Sequence, residues 1–247
     1  MMDKVAVITG GGTGIGGAVA ARLAGKRWKL ALLGRRRDRL DATAAALDGD
    51  PLVLACDVSD AAAVEAAFEA IERRFGRVDL LFNNAGIGAP ARDVDDYEIA
   101  TWDRVVGVNL SGAFYCARSA FGIMKRQRPQ GGRIINNGSV SAQAPRPRSA
   151  AYTTTKHALT GLTKSLSLDG RPYDIAAGQI DIGNALTDMA IPMTKGMPQA
   201  DGSTRAEPTI DVDHVADAVA LMAELPLDAN IPFMTIMASK MPLVGRG

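Results

Sequence analysis

The chain has 247 residues, 47% of them hydrophobic and 22% charged, enough to bury one large core and unlike a disordered or fibrous protein. A formal net charge of +1 offers no basic face for nucleic acid and no acidic tail for a basic partner. No apolar run has the length of a signal peptide or membrane span, so a cytoplasmic location is the default expectation. Cys56 and Cys116 stand far apart, and His157 and His214 have no partner at ligand spacing, so neither a redox pair nor a metal site is expected.

Val5 to Thr9 is a β-branched run that predicts a first strand. Gly10 Gly11 Gly12 Thr13 Gly14 Ile15 Gly16 follows, and Ile15, Val19 and Leu23 then recur at helical spacing. A strand, glycine turn and helix in that order let backbone N–H groups approach a pyrophosphate at the positive end of a helix, where side chains would obstruct it. The spacing Thr-Gly-x-x-x-Gly-x-Gly departs from the common dinucleotide fingerprint, so the turn alone identifies little.

A second strand, Lys29 to Leu33, ends in Gly34 Arg35 Arg36 Arg37 Asp38. An acid at this point of a dinucleotide-binding unit would hold the adenosine ribose hydroxyls, whereas a guanidinium pairs with a 2′-phosphate. Arg35 therefore points to NADP(H) over NAD(H), against the plainer reading of a solvated cationic helix start. Leu52 to Cys56 makes a third strand, followed by Asp57 Val58 and a helix carrying Val64, Phe68, Ile71 and Phe75. Val78 to Phe82 is the fourth strand, ending in Asn83 Asn84 Ala85 Gly86. Alternating strands and helices specify right-handed crossovers and a parallel sheet, with ligands at the carboxyl ends of the strands, where all these motifs fall.

Trp102, Val105, Val106 and Asn109 mark one further helix, and Phe114, Ala117, Phe121 and Met124 another. Asparagine is a mediocre helix former, so Asn109 reads first as the cap of the segment after it. The run Arg133 to Asn137 is strand-like and leads to Ser139. Beyond it Tyr152 and Lys156 are four residues apart, which on a helix stacks a phenol and an ammonium on one face. A neighbouring cation favours phenolate, so such a pair can exchange a proton with substrate, while a serine hydroxyl donates to the developing oxyanion. A Tyr-x-x-x-Lys pair alone is more often a half-exposed aromatic under a solvated lysine.

Taken in order, Thr9 Gly10 to Gly16, Asp57 Val58, Asn83 to Gly86, Asn109, Ser139 and Tyr152 to Lys156 form a specific set, with 13 positions from the serine to the tyrosine. The sequence resembles a compact short-chain dehydrogenase/reductase over nearly its whole length. The resemblance implies a single doubly wound, Rossmann-type α/β domain over residues 1–247, with a seven-stranded parallel sheet and helices on both faces. It makes Tyr152 the general acid in reduction and base in oxidation. Lys156 assists it and holds the nicotinamide ribose, Ser139 orients the substrate oxygen, and Asn109 supports a water-linked proton path to Lys156. Gly10, Gly12, Thr13, Ile15 and Gly16 would meet the pyrophosphate and adenosine side, Asp57 and Val58 the adenine, and Asn84, Ala85 and Gly86 the ribose.

One departure stands out. Where the family has an Asn-Ala segment leading into a Pro-Gly turn beside the nicotinamide, this chain reads Asp174 Ile175 Ala176 Ala177 Gly178 Gln179 Ile180 Asp181 Ile182 Gly183 Asn184, without proline. Ile182 is the expected contact there. From Asn184 to Pro208 the chain is rich in Met, Pro and Gly, including Met189, Pro192, Met193 and Met197, and reads as a substrate lid. Gln143, Arg146 and Arg148 flank the site and could meet an anionic substrate group or be ordinary surface side chains. Val215 to Leu225 is a helix and Pro232 to Ala238 the last strand, and the apolar tail Met241 Pro242 Leu243 Val244 suggests burial against another subunit of a dimer or tetramer. The expected activity is reversible hydride transfer between NADP(H), with NAD(H) as the alternative, and a small carbonyl or secondary alcohol. A non-catalytic dinucleotide sensor, or an epimerase or dehydratase on the same scaffold, is the rival.

Overall fold

A computed structural model describes residues 3–187, 190, 191, 194, 196–199 and 201–243. Met189, Pro192, Met193 and Val244 lie outside the described residues. Strands β1 (Val5–Thr9), β2 (Lys29–Gly34), β3 (Leu52–Ala55), β4 (Leu80–Asn83), β5 (Gly132–Asn137), β6 (Ile175–Ile182) and β9 (Phe233–Ile236) form one sheet in the order β3-β2-β1-β4-β5-β6-β9. Every neighbouring pair in it is parallel. The chain winds one way from β1 to β3 and then the other from β4, so a crevice opens where β1 and β4 diverge.

The helices are α1 (Gly14–Ala24), α2 (Arg37–Ala45), α3 (Ala61–Phe75), α4 (Ile99–Val106), α5 (Gly112–Arg126), α6 (Ala150–Gly170) and α7 (Val212–Glu224). Side-chain alternation along the strands builds two cores. Ala6, Ile8, Leu80, Phe82 and Ile135 pack with Val19, Leu23, Val215 and Val219 of α1 and α7. Val7, Leu81 and Ile134 point the other way, onto Val64, Phe68 and Ile71 of α3 and Cys116 and Ala117 of α5. Capping is local: the Asp60 carboxylate accepts the amides of Ala62 and Ala63 at the start of α3, and Gly76, at φ 72°, ends it in the left-handed region.

Three local features have physical causes. Strand β4 begins at Leu80 rather than Val78, because the side-chain amide of Gln127 takes both backbone groups of Val78, at 2.9 and 3.0 Å. The two helices expected around Asn109 are one continuous run, joined by a π-helical turn over Gly107–Ser111 that puts Asn109 inside the helix instead of at a cap. The missing proline leaves Ile175–Ile182 as a regular strand laddered on both sides, to β5 and β9. In the carboxyl-terminal tail, Met241 is buried against Val140 and Ala238 of its own chain.

The described residues of the 184–208 segment are partly regular. They include the antiparallel pair β7 (Met197–Pro198) and β8 (Thr204–Arg205), and Ala185 bridges Ile210.

Candidate active site

A cavity of about 700 Å³ opens at the carboxyl ends of the strands, over the crevice between β1 and β4. Its floor at one side is the glycine turn. A Cβ on Gly10, at φ 65°, would lie 2.9 Å from Asn84 Nδ2, and one on Gly12 would lie 3.0 Å from the backbone nitrogen of Leu40. Thr13, the residue before α1, makes no side-chain cap, so the first amides of that helix are open toward the cavity. Gly16 has another role: a side chain there would run into the Gly10 carbonyl, and the residue sits behind the wall, where it lets α1 approach β1.

Arg35 and Arg36 line the cavity at the end of β2, and so does Arg39, which was not singled out from sequence. Asp57 and Val58 follow β3 and face the same end. The Asp57 carboxyl accepts the Ser59 hydroxyl at 2.7 Å and the Ser59 amide at 3.0 Å. Those two bonds, and then the Arg35 charge, hold it below the usual carboxylate range. Asn84, Ala85 and Gly86 form the next part of the wall. Asn84 also ties strand ends together: its Nδ2 donates to the Thr9 carbonyl at 2.9 Å, and its Oδ1 accepts from Asn137 at 2.9 Å.

At the opposite side Ser139, Tyr152 and Lys156 converge on the cavity. Lys156 is only 6% exposed, with its Nζ 5.5 Å from the Tyr152 ring centroid and 2.6 Å from the Asn137 carbonyl, to which it donates. The strand end thus holds the ammonium beneath the ring. Ser139 Oγ accepts the Ser141 amide at 3.1 Å, which leaves its own hydrogen to donate. Neither that hydrogen nor the Tyr152 hydroxyl has a partner among the described residues. Asn109 stays outside the wall. Its side chain clamps both backbone groups of Ile87, at 2.8 and 3.0 Å, and reaches Thr155 on α6 at 3.3 Å.

Ile182 lines the cavity at the end of β6, and Thr187, missed from sequence, joins it; a Cβ on Gly14 would lie 3.0 Å from the Thr187 methyl. The flanking cations are neutralised. Arg146 donates to Glu207 at 2.5 Å, with Asn184 bound to both, and Arg148 pairs with Asp93 at 3.0 Å. Gln143 is engaged by Asp181 and Thr235.

A doubly wound parallel sheet with a glycine turn at its switch point and a phenol, an ammonium and a hydroxyl across from it defines a dinucleotide-dependent enzyme. The family model for short chain dehydrogenases matches residues 4–198, and the chain belongs to the short-chain dehydrogenase/reductase family, oxidoreductases that act on alcohol or carbonyl groups with a nicotinamide dinucleotide. It is 35% identical to a levodione reductase of Leifsonia aquatica over 216 residues, covering 85% of this chain and 80% of that one. It is 37% identical over 170 residues to a 3beta-hydroxysteroid dehydrogenase of Mediterraneibacter gnavus, covering 68% of this chain and 60% of that relative's length. Among solved structures, a 3-ketoacyl-(acyl-carrier-protein) reductase from Brucella melitensis complexed with NADH superposes with a TM-score of 0.87 at 28% identity, covering 97% and 98% of the two chains.

Proposed function

We propose that the protein transfers hydride reversibly between NADP(H) and a small carbonyl or secondary alcohol, with Tyr152 as the acid in reduction and the base in oxidation. The observation that carries this reading is the convergence of Ser139, Tyr152 and Lys156 on the cavity that also holds the glycine turn. The dinucleotide fits that cavity because Gly10, Gly12 and the open amides of α1 leave a cradle that side chains would fill. Its adenosine end would rest by Asp57 and Val58, its ribose by Asn84, Ala85, Gly86, Tyr152 and Lys156, and its carboxamide by Ile182. When bound, the nicotinamide supplies or accepts the hydride.

The chain's own residues do the rest. The Ser139 hydroxyl donates to the substrate oxygen and fixes its direction. Tyr152 gives its proton to that oxygen as negative charge develops there, and Lys156 stabilises the charge left on the phenolic oxygen. Asn109 supports the pair by locking the Ile87 backbone to α6. Described residues of the 184–208 stretch, among them Thr187, Ala190 and Met197, line the cavity and would wall it over the substrate. Arg35, with Arg36 and Arg39, favours NADP(H) through a 2′-phosphate, although the Brucella reductase structure holds NADH. With Arg146 and Arg148 already paired, a neutral carbonyl suits the site better than a carboxylate.

The test is turnover of a panel of neutral ketones followed by nicotinamide absorbance. Tyr152→Phe is expected to lower kcat by about 10²- to 10⁴-fold with cofactor affinity nearly intact, the range for loss of a positioned acid. Retained turnover in that variant excludes the proton role.

A further inference from the structure

We propose that Asp181 is a positioning residue that holds Ser139 at the reacting centre through hydrogen bonds to the turn that carries it. The inference rests on the role given to Ser139 above. Strands β5 and β6 ladder in register up to Asn137 opposite Ile180, and the Gly138 amide still donates to the Ile180 carbonyl at 2.8 Å. The next amide, that of Ser139, has run out of ladder, because the chain turns away into the short helix Val140–Ala142. The Asp181 side chain supplies the missing rung: its Oδ1 accepts the Ser139 amide at 3.1 Å. Its Oδ2 accepts from Gln143 Nε2 at 2.9 Å, on the far side of the same turn. One carboxylate therefore grips the segment carrying the catalytic hydroxyl on both sides.

Asp181 is buried, accepts a third N–H from Gln179 at 2.7 Å, and pairs with no basic side chain among the described residues. Burying a carboxylate among neutral donors is an expensive way to gain stability alone, since its desolvation is offset by hydrogen bonds without a counter-charge. What the arrangement supplies is position. Gly138 is bound up with it, because any Cβ at that residue would overlap Asp181 Oδ1. Asp181 does not line the cavity itself and acts through Ser139.

Asp181→Ala is expected to lower kcat by about 10- to 100-fold while the NADPH dissociation constant, read by fluorescence titration, stays within about twofold. Asp181→Asn should recover to within about threefold of the parent. Its amide oxygen still accepts the Ser139 N–H, and Gln143 can turn its own oxygen toward the new NH₂. In a Ser139→Ala background, Asp181→Ala should cost less than about twofold, because no hydroxyl remains to be misplaced. A full additional loss in that background, or an unchanged kcat in Asp181→Ala, overturns the proposal. Should Asp181→Ala not fold, Gly138→Ala displaces the carboxylate from the other side. It should give the same kcat loss at unchanged cofactor affinity, and an unaltered kcat there refutes the role equally. If Ser139→Ala alone keeps full kcat, the catalytic reading falls and takes the positioning role with it. If Ser139→Ala is slow and the losses add, only the role of Asp181 falls.

Discussion

The two ends of the sheet use the same kinds of residue for opposite purposes. At the amino end polar side chains are tied into the backbone. Arg133, 2% exposed at the start of β5, donates Nη1 to Asn230 and Nη2 to the carbonyls of Leu225, Pro226 and Ala229. It thereby puts a cation at the negative end of α7. Asp79 accepts both the Val5 amide and a forked guanidinium from Arg77, and Gln127 closes Val78 and Gly131. At the carboxyl end the three groups that converge on the cavity are only half engaged: Lys156 uses one carbonyl, and Ser139 and Tyr152 keep hydroxyl hydrogens for something else. A buried polar group that is paired holds a fold together, whereas one left aimed into a cavity is available for chemistry.

That contrast can be broken by substitution. The largest effect is expected from Lys156→Met, which keeps the buried stem and removes the ammonium: kcat/KM should fall by about 10³-fold in a steady-state assay with the melting temperature nearly unchanged. A matching loss of stability would make Lys156 part of the scaffold. Arg133→Met is the mirror experiment. It strands several carbonyls without a donor and should cost about 2–4 kcal/mol in urea unfolding, with kcat of the folded enzyme retained. Smaller in scale, Arg35→Ala should weaken NADPH about tenfold in titration and leave NADH almost untouched; equal losses would remove the phosphate reading.

A last check reads reactivity in place of turnover or binding, at Cys56, buried beside the adenosine end of the cavity. Burial first, and then the Asp57 and Asp60 carboxylates, push its thiol up to about 11. The thiolate is the reactive form, so at pH 8 iodoacetamide should label it about 100-fold more slowly than an ordinary thiol, with the rate rising tenfold per pH unit toward pH 11. Fast labelling at pH 8, read by mass spectrometry, would mean this end of the sheet is looser than its packing implies.

Much of this was legible along the chain, and the exceptions have physical causes. Strand β1, the glycine turn and the Tyr152–Lys156 spacing announce themselves because each depends on residues close in sequence. The start of β4 does not, since what stops Val78 from joining the strand is a side chain 49 residues away. Asn109 reads locally as a cap and is in fact the clamp of a π-helical turn, a distinction that only its contacts with Ile87 and Thr155 draw. Arg146 and Arg148, ambiguous in sequence, acquire meaning from Glu207 and Asp93.

Period and order therefore determined the class of this protein from its residues alone: β-branched runs alternating with helical ones dictate a parallel sheet, and turn chemistry at their carboxyl ends dictates where a ligand goes. Register decided the rest. Whether Asp181 meets Ser139, 42 residues away, depends on where the β5–β6 ladder stops, and a one-residue slip would turn that carboxylate to the opposite face. Local patterns record what each segment prefers, while the pairing of polar groups distant in the chain exists only once the strands are side by side.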